Sequence, residues 1–278
     1  MPSFFVKHFR ALIGVVLVAA SLPASYFFVC ASGSDYAVIA NDGNFLFYNA
    51  PISQKGPGQN SEYVAYVDRK GGVYASTIKV NMCGKVIDRS NLEMVHDYGP
   101  IIKGGRNNAD DHAAPAILFD EYKNRMLLAT AYHGSNTFLY EKKINYEQQF
   151  NRLAVLEGRY SYPRFVEHEG EVLLFLRRQM AGRRSGDLVM YRSNDGFQSE
   201  TVVIPSEKGH VIYGSVPISA NGRILTQYAI FSYESRNLEG WYLQKYVLGE
   251  PESPVTYDFS EHMPRDCVSN RPTGMAHS

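Results

Sequence analysis

The sequence predicts an all-β chain folded as a β-propeller, on three observations: a recurring strand–turn–strand unit, the even spacing of its turns, and a strand-forming composition. The unit occurs four times, as Tyr63 to Ile78 around Lys70-Gly71-Gly72, Ala116 to Ala131 around Tyr122-Lys123-Asn124, Phe165 to Leu176 around Glu169-Gly170, and Val216 to Ile230 around Asn221-Gly222. Taking Gly71, Asn124, Gly170 and Gly222 as markers, the intervals are 53, 46 and 52 residues by subtraction. Hairpins at a period of roughly 40–50 residues are the sequence signature of propeller blades. The 20 Tyr and 15 Phe of the 278 residues, with many Val and Ile, suit pleated and half-buried surfaces. No long helical periodicity follows residue 35. About four to five blades are visible, and the competing architecture is a β-sandwich with hairpins at chance spacing.

The N-terminus reads separately. Lys7, His8 and Arg10 precede an apolar stretch from Ala11 to Val29, and Val29-Cys30-Ala31 offers small residues for signal cleavage. The stretch is also long enough to stay as an anchor. Residues 1–34 are therefore a signal peptide or an N-terminal membrane anchor, and residues 35–278 form the propeller domain. Either reading puts the protein outside the cytoplasm, secreted or in the periplasm and cell envelope, with the membrane touched only through residues 11–29.

Charge excludes some partners. With 28 basic and 28 acidic residues and no basic tail, no nucleic-acid partner is expected. Arg177, Arg178, Arg183 and Arg184 nevertheless cluster in sequence, which suits an anionic ligand. No Cys or His pair has zinc-ligand spacing, so no metal is expected, and no cofactor motif is present: Lys103-Gly104-Gly105-Arg106 lacks phosphate-loop spacing, and Gly-x-Ser-x-Gly is absent. If Cys30 leaves with a signal, Cys83 and Cys267 remain in an oxidising compartment, where they either pair or stay as two thiols.

The candidate site comes from residues at matching places in successive repeats. Asp110-Asp111-His112-Ala113-Ala114-Pro115 opens the second repeat, Ala131-Tyr132-His133-Gly134 closes its second strand, and Tyr160-Ser161-Tyr162-Pro163 with Phe175-Leu176-Arg177-Arg178 repeats the pattern one blade on. Equivalent positions of neighbouring blades face one channel, so His112, His133, Tyr162 and one of Arg177 or Arg178 are expected to converge at one end of the axis. His210 and Tyr213 open the fourth repeat at a comparable position and are expected to line the same pocket. His168, in the Glu167-His168-Glu169-Gly170 turn, is expected to be solvated, and Trp241 and Tyr242 to start a strand packed between blades.

These motifs resemble the family of bacterial-neuraminidase-repeat proteins that includes the ulvan lyases. The resemblance runs from about Asn41 to Phe231 and rests on Asp111-His112-x-x-Pro115, Tyr132-His133-Gly134, Ser161-Tyr162-Pro163 and Phe175-x-Arg177. It implies a seven-bladed propeller, although this chain looks shorter than the family, and an activity on anionic polysaccharide: β-elimination in uronic-acid-containing glycans. It also implies catalytic roles for His112, His133, Tyr162 and Arg177, with Asp111, Arg178, His210 and Tyr213 contacting substrate. Ser193-Asn194-Asp195-Gly196-Phe197 resembles a degenerate Asp-box turn without the usual tryptophan. Ala113 departs from the family, which usually has asparagine after the histidine. Two other readings follow from such departures: a catalytically inactive carbohydrate-binding propeller, and, with less support, a sialidase-like hydrolase, for which the clustered arginine triad is missing.

Overall fold

The computed structural model describes residues 43–44, 53–56, 60–81, 86–89, 92–99, 113–132, 134–180, 185–250 and 255–259. The expected export segment, Asp111, His112, His133, Arg183, Arg184 and all three cysteines lie outside the described residues. The described residues are strands and their connections, with a 3-10 turn at Ser193–Asp195. The chain is a β-propeller, and among the described residues no sheet closes on itself.

Each blade is an antiparallel meander. The first is built on β3 (Ser61–Asp68) and β4 (Gly72–Val80), flanked by β1 (Gly43–Asn44) and β2 (Ser53–Lys55) on one side and by β5 (Val86–Arg89) and β6 (Glu93–Asp97) on the other. The second runs β7 (Ala116–Asp120), β8 (Arg125–Ala131), β9 (Ser135–Lys143) and the first part of β10 (Asn151–His168). The third uses the second part of β10, then β11 (Glu171–Gln179), β12 (Gly186–Arg192) and β13 (Thr201–Ile204). The fourth runs β14 (His210–Ala220), β15 (Arg223–Ser232), β16 (Leu238–Tyr246) and β17 (Val255–Asp258).

Strand β10 explains how one blade leads to the next. Its first residues pair with β9 and its last with β11, and the pairing shifts register around Leu156 to Tyr160, so one strand is both the outer edge of the second blade and the inner strand of the third. The third and fourth blades are stitched by a single parallel pair, Gly186 with Val211.

The cores lie in the seams between blades, which is why central strands read as unbroken apolar runs. All seven residues of β8 are buried. Alternation sends Met126 and Leu128 toward the first blade, where Tyr63, Ala65, Val67 and Val73 meet Ile117 and Phe119. Leu127, Ala129 and Ala131 go the other way, against Val172, Leu174 and Leu176 of the third blade. From β11, Leu173 and Phe175 then turn to the third seam, with Leu188, Met190, Ile212 and Ile224.

The turns sit where the repeat put them. Glu169 and Gly170 have φ of 48° and 80°, and Asn221 and Gly222 of 51° and 67°. Two successive positive φ values make the type I′ turn that matches strand twist. Asn124 (φ 46°) ends the four-residue loop between Asp120 and Arg125. Gly71 (φ 91°) lies in a turn braced by Asp68, whose carboxylate accepts from the backbone N–H groups of Lys70 and Gly72, each at 2.8 Å. The Asp-box-like segment closes in the same way: Asp195 accepts from the N–H groups of Gln198 and Ser199 at 3.1 Å, and Phe197, 1% exposed, plugs the second seam where a tryptophan was missing.

His168 is not solvated, contrary to the expectation for a turn residue. It ends β10 as a buried group, and its Nδ1 lies 2.9 Å from the Ser219 hydroxyl of β14, tying the third blade to the fourth.

Candidate functional site

Because the hairpins at Asn124, Gly170 and Gly222 close one end of the blades, the starts of β7, β14 and the second part of β10 share the opposite end with the finishes of β8, β11 and β15. There the structure brings Tyr162, Arg177 and Tyr213 together. The Arg177 guanidinium carbon lies 4.3 Å from the Tyr162 ring centroid and 5.0 Å from that of Tyr213, so the cation is held against two aromatic rings. The rings themselves meet edge to face at 5.4 Å, and the Tyr162 hydroxyl donates to the Tyr213 hydroxyl at 2.8 Å. Ala114, from the approach to β7, packs against the same tyrosines.

A β-bulge builds this arrangement. Ser161 pairs with Arg177 and Arg164 with Phe175, so three steps along β10 oppose two along β11. Tyr162 occupies the bulge with φ of 58°, a left-handed conformation costly for an aromatic residue, on the order of 1–3 kcal/mol. The strain aims its ring at Arg177. Ser161, fully buried, accepts a hydrogen bond from Arg177 Nε at 3.0 Å and fixes the plane of the guanidinium.

Arg177 is only 2% exposed, yet its Nη2 has no hydrogen-bond partner, and among the described residues no carboxylate is paired with it. A buried guanidinium with a free donor is a strong anion receptor, since desolvation is already suffered and a planar carboxylate or sulfate would satisfy it.

A family model for the BNR repeat-containing family matches residues 61–237. The chain belongs to that family. No curated protein matches it. Among solved structures, an ulvan lyase, a polysaccharide lyase, is similar at 14% identity with a TM-score of 0.59, over 76% of this chain and 55% of that one. A second ulvan lyase structure, bound to -[GlcA(1-4)Rha3S]-, is similar at 14% identity and 0.57 over the same shares. An α-L-arabinanase from Cellvibrio cellulosa with arabinohexaose is similar at 12% identity and 0.47, over 77% and 78%. The likeness to the two ulvan lyase structures is one of fold, and this chain spans about 55% of those chains.

Other expected site residues of this BNR propeller are placed elsewhere. Arg178 projects from the opposite face of β11, where its guanidinium is bonded to Glu200 and, at 2.7 Å, to Asp187. Burial is the largest single influence and works to lower its pKa, but Asp187 and Glu200 together outweigh it and hold the pKa above the ordinary arginine value. Its employment is structural: Glu200 also accepts from Tyr160 at 2.8 Å and Tyr191 at 3.1 Å. His210 is three residues before Tyr213 in regular register on β14, so alternation turns it to the other face, with Ile212 in the third seam. The expected pairing of His210 with Tyr213 in one pocket therefore does not form. Tyr242, as expected, packs in that seam.

Two contributors escaped the sequence reading. Ser161 belongs to the Ser161-Tyr162-Pro163 motif but has no role in the sequence reading; a regular ladder from the hairpin at Gly170 would set it opposite Arg178, and the bulge moves it opposite Arg177. Arg164 follows Pro163 in an apolar strand, and it too is buried, at 6% exposure.

Proposed function

We propose that this BNR propeller is a polysaccharide lyase that cleaves uronic-acid-containing glycans by β-elimination, acting outside the cytoplasm. The observation that carries the reading is Arg177: a buried cation, held against two tyrosine rings and fixed by Ser161, with an Nη2 that has no hydrogen-bond partner among the described residues. The likeness in fold to an ulvan lyase bound to -[GlcA(1-4)Rha3S]- supports a glycan bearing carboxylate and sulfate. The positively charged, apolar N-terminal stretch from Lys7 to Val29 supports export.

The chemistry follows from the residue types. Removing the proton on C5 of a uronate is difficult because the neighbouring carboxylate resists the additional negative charge. Arg177 would neutralise that carboxylate and stabilise the charge that develops on it. The electron pair from C5–H then forms the C4–C5 double bond, the C4–O bond breaks, and a proton passes to the departing oxygen. His112, His133 and Tyr162 are the groups proposed to take and return protons. The nearness of Tyr162 to Arg177, whose guanidinium carbon is 4.3 Å from its ring centroid, supports its inclusion.

Ala113 favours a second reading, a binding propeller without catalysis. It is completely buried among the apolar side chains of the first seam, so it offers no polar group beside His112. The exported domain mixed with ulvan and other uronate glycans separates the readings. Lyase action gives oligosaccharides that absorb in the ultraviolet through their new double bond. Binding without an absorbance rise would establish the inactive propeller, and new reducing ends without absorbance would establish hydrolysis.

A further inference from the structure

A second buried guanidinium stands on the same face as the first. The hairpin at Gly170 sets the register of Arg164, for pairing runs without a break from His168 with Glu171 to Arg164 with Phe175. Phe175 shares its face of β11 with Arg177, and Arg164, paired with Phe175, lies on that face as well. The two arginines therefore project from one side of the third blade, separated by two residues of β11, about 7 Å of strand rise. Arg164 is 6% exposed, its Nε has no hydrogen-bond partner, and among the described residues no carboxylate is paired with it. Burial pushes its pKa down to about 10, so it remains charged at neutral pH.

Three acids of this blade are committed to other arginines. Asp187 and Glu200 hold Arg178 on the opposite face, and Glu171 holds Arg192. An arginine left buried without an acid is expensive as pure structure. The hairpin register puts Arg164 on that side, and the bulge beyond it brings Ser161 to the same side, opposite Arg177.

We propose that Arg164 is a second anion-recognition group of the site, taking a further anionic substituent, a carboxylate or a sulfate ester, on the sugar next to the one held by Arg177. The proposal rests on the uronate-glycan reading of the site and deepens it: the preferred substrate carries negative charge on adjacent sugars. Arg177 is satisfied by the first anion and Arg164 by the second.

The test is calorimetric binding to the full chain of three oligosaccharide probes: a uronate alternating with neutral sugars, a uronate alternating with sulfated sugars, and a polyuronate. The native protein should prefer at least one of the doubly charged probes to the first by about tenfold or more, as expected for a charge-assisted pair, and the preferred probe identifies sulfate or carboxylate. Arg164→Gln should abolish that preference while leaving affinity for the first probe within about twofold, and Arg164→Lys should restore part of it. Equal loss on all three probes, or no preference in the native protein, overturns the proposal. Should Arg164→Gln not fold, Arg164→Lys carries the test, since the loss of the planar fork should reduce the preference and an undiminished one would overturn the proposal. Because binding is read directly, an absence of unsaturated products would remove the lyase reading without touching this result.

Discussion

Tyr162 donates its phenolic hydrogen to Tyr213 at 2.8 Å across the seam between the third and fourth blades, and this bond joins two residues 51 positions apart, about one repeat. The propeller thereby converts sequence period into a shared site. The bond is asymmetric in a testable way, for Tyr162 lies over Arg177 more closely than Tyr213 does, at 4.3 Å against 5.0 Å.

Tyr162→Phe keeps the ring over the guanidinium and removes only the hydroxyl. If that hydroxyl transfers a proton, kcat for release of unsaturated product should fall about 100-fold or more with little change in KM. Tyr213→Phe, which removes only the acceptor, should cost about tenfold or less. Equal small losses in both variants would leave Tyr162 as a packing residue.

Phe175 is fully buried in the third seam, one strand step from Arg177 on the same face. Phe175→Ala should destabilise the protein by about 3–5 kcal/mol, through lost burial and the cavity left behind. Denaturant unfolding measures this. A loss under about 1 kcal/mol would mean that the seam collapses to fill the space and that blades are less tightly seated than their packing implies.

The sequence disclosed the blades because hairpin turns and double-sided apolar strands are local signals. Asn221-Gly222 requires a type I′ turn, and Met126-Leu127-Leu128 reads as a strand with two covered faces. Part of the site was legible for the same reason: Arg177 and Tyr162 occupy repeat-equivalent ends. What was hidden depends on register. Nothing in the composition of Tyr160 to Phe165 announces a bulge, yet that one extra residue decides whether Ser161 faces Arg177 or Arg178. His168 was misread because its partner, Ser219, is a full blade away. Arg178 and Arg177 differ only in parity, and it is parity that gives one to Asp187 and Glu200 and leaves the other to the site.

His96 predicts a pH dependence of stability. Its ring is stacked on Phe138 at 4.3 Å, meets the Tyr98 edge at 4.3 Å, and has Nδ1 2.7 Å from the Tyr140 hydroxyl. Burial lowers its pKa below the ordinary 6.5, with Asp97 opposing and Arg152 adding to the shift. The unfolded chain therefore binds the proton more readily than the folded one, so stability is retained above about pH 6.5 and declines as pH falls through that value and below. His96→Phe, which keeps an aromatic ring, should flatten unfolding free energy between about pH 7 and 5. An unchanged slope in that variant would assign the acid sensitivity to other groups.

The heaviest demand falls on Arg177, because its charge, plane and position would all be used at once. The flat guanidinium is oriented by Ser161 through Nε, gripped by two rings, and left with Nη2 to give. Arg177→Ala removes the charge that would neutralise the substrate carboxylate, and kcat/KM on uronate glycans should drop about 100-fold or more, the scale of losing a preorganised electrostatic donor. Arg177→Lys retains a charge but lacks the fork and the Nε bond, so it should recover less than about a tenth of the native rate. Ser161→Ala leaves the charge in place and frees the plane, which should cost about tenfold or less. A ranking with Lys near native would reduce Arg177 to a point charge, and full activity in the alanine variant would exclude it from the elimination altogether.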